Sequence, residues 1–291
     1  MRNKLTDELA VCGFNAIRAL SEVHPEKVNR LFLREDRLPF FTGLCKQLAE
    51  RKRPYKLCEN EELERICKTN HHQGIAAMIH SPVIEAAVQE DIDAWAAEGK
   101  TGLLLCDIGN DHNLGAIVRS AAFFDATPII LTRQNAQIQM NDPGPVGEPD
   151  HLSRRSDESS PPENDGIHLT TSSYRVAEGG MEYVEFRSIR SPQAFLRSAS
   201  KKLVTIGTDP RARIRIRDIP QLIREQGKQK TVRNNQPGVV LVIGNEETGL
   251  SREIKEQCSI LARIPGTGAI ESLNAAQAAT LFLQELYERF T

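Results

Sequence analysis

Three short segments set glycine beside carboxamide, carboxylate, hydroxyl or guanidinium side chains, each at the end of an apolar run. The first is DIGNDHNLGAIVR (107–119). A polar loop there opens a helix that Asn113 or Asp111 can cap. Leu114, Ile117, Val118, Ala121 and Ala122 form that helix's apolar stripe, and Arg119 lies off it. A guanidinium in that place is either a solvated surface charge or a group that holds a phosphate or a developing negative charge. The second segment is VIGNEETGLS (242–251), a glycine-bounded loop in which Ser251 caps the next helix. Its plainer reading is a tight turn needing a positive φ at Gly244 or Gly249. Glu246 has no apolar-face role and can accept hydrogen bonds from hydroxyls or amides. The third is IPGTGAIESLN (264–274), where a chain exits through Pro265 into a glycine-rich loop and Ser272 is placed to cap the last helix. Such a loop exposes backbone N–H and C=O groups, as an adenine-reading site needs. Asn274 adds a side-chain donor and acceptor.

Other chemistries are excluded by what is missing. No GxxxxGK[ST] occurs, which removes P-loop nucleotide hydrolysis. PGTGAIE (265–271) has glutamate where the dinucleotide fingerprint needs its third glycine, and Asp107-Ile108-Gly109 lacks the further glycines of a Rossmann methyltransferase loop. The six cysteines form no C-x-x-C pair, and His71-His72 has no cysteine at ligand spacing, so no metal site is expected and the thiols read as reduced and mostly buried. No apolar run approaches the roughly 20 residues of a membrane span, and the first residues lack a signal-peptide core. The expected location is the cytosol.

The elements that must carry these loops fall into two units. Residues 1–80 alternate short helix and strand patterns: helices over 15–24, 41–53 and 59–70, and strands at VNRLFL (28–33), PYKLC (54–58) and IAAMI (75–79). Residues 81–100 are acidic, helical in pattern and expected as a linker. From 101 the runs GLLLCDI, TPIILT, LVTIGT, GVVLVIG and ILARI are almost wholly apolar, the mark of parallel strands buried on both faces. Helical segments at 113–124, 251–258 and 272–290 alternate with them, which gives a parallel α/β domain over 101–291. Residues 141–166 interrupt it with five prolines and no aromatic residue, and read as a disordered insertion.

Taken together and in order, the three segments closely resemble the signature motifs of the SpoU (TrmH-type) RNA methyltransferases of the SPOUT superfamily. N-x-G-x-x-x-R is Asn113, Gly115 and Arg119; G-x-E-x-x-G-L-S is Gly244, Glu246, Gly249, Leu250 and Ser251; I-P-x-x-G-x-x-x-S-L-N is Ile264, Pro265, Gly268, Ser272, Leu273 and Asn274. VCGFNAIRAL and HQGIAA resemble the substrate-binding domain often fused ahead of it, so the likeness spans about 9–80 and 101–291. The resemblance implies a trefoil knot in the C-terminal domain, a homodimer, an RNA substrate (tRNA or rRNA), and transfer of a methyl group from S-adenosylmethionine to a ribose 2′-hydroxyl. It assigns the cofactor to Gly244, Ile264 and Leu273, and catalysis to Arg119, Asn113, Ser272, Asn274 and Glu246. The family gives its arginine the task of activating the 2′-hydroxyl. A guanidinium stays charged at pH 7, so a cation that stabilises the alkoxide and holds a phosphate is the preferred role.

Two positions depart from the family pattern: Gly266 stands where methionine is usual, and the helix reads SLNAAQAA in place of SLNVSVA. A catalytically silent RNA-binding paralogue is the alternative those departures favour. Net charge is −2, so any RNA contact must come from a local basic face. Residues 201–233 carry ten Lys/Arg against three acids, and Arg211, Arg213, Arg215 and Arg217 alternate so that an extended chain sets all four on one side.

Overall fold

The structure is a computed structural model and describes residues 2–3, 7–132, 169–227 and 236–288. The expected insertion at 141–166, and Lys228, Lys230 and Arg233 of the basic stretch, lie outside the described residues.

The N-terminal unit runs β1 (Arg2–Asn3), β2 (Glu8–Cys12), α1 (Phe14–Val23), β3 (Val28–Leu33), α2 (Leu38–Glu50), β4 (Tyr55–Leu57), α3 (Asn60–Cys67) and β5 (Ile75–His80). Its five strands form a mixed sheet in the order β1-β2-β5-β3-β4. The predicted helices and strands are all present, and β1 and β2 are additions, of which β2 is the longer. Its five residues are all buried, Glu8 included, because Arg30 supplies the cation that carboxylate needs.

The second unit runs α4 (Gln89–Glu98), β6 (Thr101–Leu105), α5 (Asp111–Phe123), β7 (Ile129–Thr132), α6 (Thr171–Ala177), β8 (Phe186–Ile189), α7 (Pro192–Ala199), β9 (Val204–Thr208), β10 (Ile214–Arg215), α8 (Ile219–Gly227), β11 (Val239–Ile243), α9 (Arg252–Gln257), β12 (Ile260–Arg263) and α10 (Ala275–Glu288). Its seven strands pair in parallel throughout, in the order β10-β12-β9-β11-β6-β7-β8. The apolar runs have the expected cause. Leu103, Leu105, Val239, Leu241 and Ile243 face the core under α5, α8 and α10, while Leu104, Val240 and Val242 face that under α4, α7 and α9. With both faces covered, these strands are almost wholly apolar. Segment 81–100 therefore carries a helix of this layer: Ile92, Trp95 and Ala96 of α4 are buried against the sheet.

The strand order fixes where a ligand can sit. From β6 the chain builds outward through β7 and β8, then crosses to lay β9 and β11 on the other side. The direction of winding thus reverses between β6 and β11, and the crevice outside the carboxyl ends of such strands is where open α/β sheets take ligands. The loops after β6, β11 and β12 hold the three segments singled out above. Among the described residues, no helix is long and apolar enough to cross a membrane, and no three His, Cys, Asp or Glu side chains are grouped to hold a metal ion.

Candidate active site

Asn113 is at the centre of the crevice. Its Nδ2 donates to Glu246 Oε1 at 2.6 Å, and its Oδ1 accepts from Asn274 Nδ2 at 2.9 Å. One carboxamide thus ties together all three loops. Asn113 is free to do so because the cap of α5 is neither Asn113 nor Asp111. Asn110 takes that place, its side chain accepting from His112 N at 2.8 Å, and Asp111 instead accepts from Thr170 Oγ1 at 2.8 Å.

The last helix is also capped by a residue other than the one expected. Asn274, not Ser272, caps α10, its Oδ1 accepting from Ala276 N at 2.9 Å and Gln277 N at 3.4 Å. Asn274 stands one residue before the helix, where its oxygen reaches the orphan amides of the first turn; Ser272 is two residues too early. Ser272 is exposed and makes no hydrogen bond with the described residues. Ser251 does cap α9, accepting from Ile254 N.

The loop after β11 is braced by Asn245, which the motif reading passed over. Its Oδ1 accepts from Glu247 N at 2.9 Å and Thr248 N at 3.1 Å, and its Nδ2 donates to Asp107 O at 2.8 Å. The signal was present in the sequence, since asparagine next to glycine in a short loop commonly bonds the backbone two residues on. Of the two glycines, Gly249 has the positive φ, +67°, while Gly244 is needed for space: a Cβ there would lie 2.4 Å from the Gly249 carbonyl carbon. Gly115 is also a packing glycine, since its Cβ would meet Ser173 O at 2.6 Å where α6 crosses α5.

Arg119 is exposed on α5, and no described residue bonds it. It lies six residues beyond Asn113, roughly 9 Å along the axis at about 1.5 Å per residue. Ile264 is half-buried against the core, and Leu273 is 47% exposed at the loop's end. The two cysteines of the strand and helix ends near these loops, Cys106 and Cys258, are held as thiols. Burial pushes the Cys106 thiol at the end of β6 well above its ordinary range, and nearby Asp107 adds to the shift; burial likewise takes Cys258 up to about 12.

The loops lining the crevice leave open space at three glycines, room that S-adenosylmethionine would need there. A Cβ added at Gly249, Gly266 or Gly268 meets nothing within 4 Å, so backbone groups of both loops face open space. Ile270, 82% exposed, and Leu273 place apolar surface beside them. Gly266 is thus glycine for neither φ nor crowding.

Fold and site define a parallel α/β enzyme class whose three ligand loops are joined by side-chain amides. Comparison narrows the class. Residues 162–284 match the SpoU rRNA methylase family, and residues 10–83 match the RNA 2′-O ribose methyltransferase substrate-binding family. The 23S rRNA (guanosine-2′-O-)-methyltransferase RlmB of Nitrosomonas europaea is 25% identical over 98% of this chain and 93% of its own. The uncharacterized tRNA/rRNA methyltransferase YfiF of Escherichia coli O157:H7 is 25% identical over 99% of this chain and 70% of its own. Among solved structures, an AdoMet-bound rRNA methyltransferase from Sinorhizobium meliloti superposes with TM-score 0.67 at 20% identity, covering 99% of this chain and 89% of that one. The SpoU methyltransferase AviRb from Streptomyces viridochromogenes, in complex with AdoMet, gives 0.62 at 20% identity over 98% and 91%. These structural likenesses give the fold. The chain thus carries a SpoU rRNA methylase domain behind an RNA 2′-O-ribose methyltransferase substrate-binding domain, the two-part build of the SpoU family.

Proposed function

We propose that this chain methylates a ribose 2′-hydroxyl of ribosomal RNA, with residues 1–80 holding the RNA and the crevice of the second unit performing the transfer. The observation that carries the reading is the Glu246–Asn113–Asn274 chain of hydrogen bonds, which makes one site of three loops. Ribosomal RNA is favoured by the relatives named for 23S rRNA; tRNA is the second reading, favoured by the relative named for both. S-adenosylmethionine, when bound, supplies an electrophilic methyl group. Gly244, Ile264 and Leu273 hold it through their backbone groups. Arg119 stabilises the charge that grows on the 2′-oxygen and grips the adjoining phosphate, Ser272 adds a hydroxyl to that phosphate, and Asn113 and Asn274 keep loop and substrate in register. The family's knotted path and cytosolic location belong to the same reading. Ribose methylation mapped across total RNA from cells with and without the gene tests it. Loss of a ribosomal site supports the reading, loss confined to tRNA moves the substrate, and no loss leaves the silent paralogue.

The RNA path is supported by charge. Arg211, Arg213, Arg215 and Arg217 are exposed, while Ala212, Ile214 and Ile216 between them are half-buried. They line the β10 edge beside β12, and Arg211 reaches Glu271 of the 264–274 loop at 3.0 Å. Reversing Arg213 and Arg215 to glutamate is expected to weaken binding of all RNA sequences alike and to flatten the salt dependence by about one unit of slope per lost contact. Filter binding over a salt series reads this; an unchanged slope returns the stretch to a solvated edge.

A homodimer completes the reading. Phe123, 80% exposed at the end of α5, stacks edge-on to Phe124, which touches Tyr287 of α10, and Leu281 lies exposed on the same helix. Sedimentation equilibrium is expected to give twice the 32.5 kDa chain mass and to fall to one chain in Phe123→Asp. A wild-type chain that sediments as a monomer at micromolar concentration sinks the dimer.

A further inference from the structure

Between the two units lies a turn that the catalytic reading does not use. It follows α6 as Glu178, Gly179 and Gly180, and closes in a short 3-10 turn at Gly180–Glu182. Side chains from the N-terminal unit grip it at two points. Asn15 of α1 donates its Nδ2 to Glu178 Oε2 at 2.7 Å, and Lys27 Nζ lies 3.3 Å from Glu182 Oε2. The Glu182 side chain is only 3% exposed, whereas Lys27 is 47% exposed. A carboxylate buried that deeply needs a cation, and this one takes its cation from the other unit.

The two glycines are pressed from opposite sides. A Cβ on Gly179, whose φ is +95°, would lie 2.8 Å from Ala19 Cβ and 2.9 Å from Asn15 O, so α1 rests on its backbone. A Cβ on Gly180 would lie 3.2 Å from both Arg119 Cα and Val118 O, so α5 rests on the other side. Helix α1, two glycines and the stretch of α5 that bears Arg119 therefore form a stack with no room for independent movement. Close-packed layers of this kind transmit displacement rather than absorb it.

We propose that this turn is a clasp, gripped by Asn15 and Lys27, that fixes the RNA-holding unit relative to Arg119 so that bound RNA meets the arginine in one orientation. Asn15 and Lys27 are positioning residues. The proposal rests on the function argued above for Arg119, and its test separates the two.

Asn15→Asp sets a second carboxylate against Glu178, and Lys27→Met removes the cation of Glu182; neither truncates a core side chain. Each is made in the full chain and assayed on ribosomal RNA from cells lacking the gene. The turnover rate at saturating RNA is expected to fall about tenfold, because misplacement by about 1 Å can cost that much or more. RNA affinity by filter binding and S-adenosylhomocysteine affinity by calorimetry are expected to stay within about twofold, and Lys27→Arg to restore the rate. Hydrogen exchange provides a readout free of chemistry. The amides of Glu182 and Tyr183, bonded to Gly179 O and Gly180 O, should exchange faster in both variants, together with the second half of α5. An unchanged rate in folded variants overturns the clasp, with or without faster exchange. A fall in RNA affinity equal to the fall in rate also overturns it, since both residues would then be plain RNA contacts. Full activity in Arg119→Ala would sink the catalytic reading instead, while Lys27→Met would still report whether the grip sets the rate.

Discussion

Arg119→Ala is expected to lower the single-turnover rate of methyl transfer by about 10²–10³ while leaving fold and cofactor affinity unchanged, the usual cost of deleting one preorganised stabiliser of developing charge. Its position makes the expectation sharp. The apolar stripe of α5 is Leu114, Ile117, Val118 and Ala121, all buried, and Arg119 projects away from it, so truncation opens no cavity. It is not tied up by a carboxylate among the described residues, which leaves its five donors for an incoming phosphate and oxygen. Its proposed partner is charge that appears only as the 2′-oxygen becomes nucleophilic, so turnover should suffer more than binding. Arg119→Lys is expected to fail as well, since a point ammonium cannot hold two oxygens in one planar fork. Circular dichroism and calorimetry with S-adenosylhomocysteine are the controls. A folded Arg119→Ala variant at near wild-type rate would sink the role and turn attention to Ser272, which is exposed and has no hydrogen-bond partner among the described residues.

The catalytic sheet was legible because burial on both faces favours apolar residues: β6, β7, β9, β11 and β12 each coincide with a mostly apolar run. β8, Phe-Arg-Ser-Ile, was not. It is an edge strand, and Arg187 within it pairs with Asp91 and Glu185, so its composition is mixed. The helices α6, α7 and α8 are nine residues or fewer and, unlike the six-residue α9, follow no loop that a motif had singled out. At the site, residue types were legible and their partners were not. Asn110, Asp111 and Asn113 are all competent caps by type. Which one caps depends on where α5 begins, and that is settled only by tertiary contacts such as Thr170 on Asp111. The same uncertainty exchanged Ser272 for Asn274. Glu246 fared better because an acid in a glycine-bounded loop at a strand's carboxyl end has little structural reason to be there. The grip of Asn15 and Lys27 on the 178–182 turn was invisible, since it joins residues more than 150 positions apart whose types are ordinary surface polar ones.

Gly244→Ala is expected to abolish cofactor binding and to cost about 1–3 kcal/mol of stability, the range typical of overpacking a close contact. The added methyl would lie 2.4 Å from the Gly249 carbonyl carbon, 2.6 Å from Leu250 N and 2.7 Å from Gly249 O. All three are backbone atoms, so no side chain can rotate out of the way. The loop itself must move, and it is held on both sides. Gly249 N donates to Asn245 O at 2.9 Å, closing the turn, and Leu250 is buried in the core beneath α9. Moving the loop also moves Glu246, two residues on, and with it the carboxylate that accepts from Asn113. One methyl group thus pulls apart the bond network that makes one site of three loops. Gly249→Ala provides the contrast. A Cβ there meets nothing, and the φ of +67° imposes a backbone strain of about 1 kcal/mol without a collision, so cofactor affinity should fall far less. Calorimetry with S-adenosylhomocysteine and thermal melts of the two variants decide the matter. If Gly244→Ala binds the cofactor product as tightly as the wild type, this loop does not form the cofactor site, and the assignment of Gly244 with it must be abandoned.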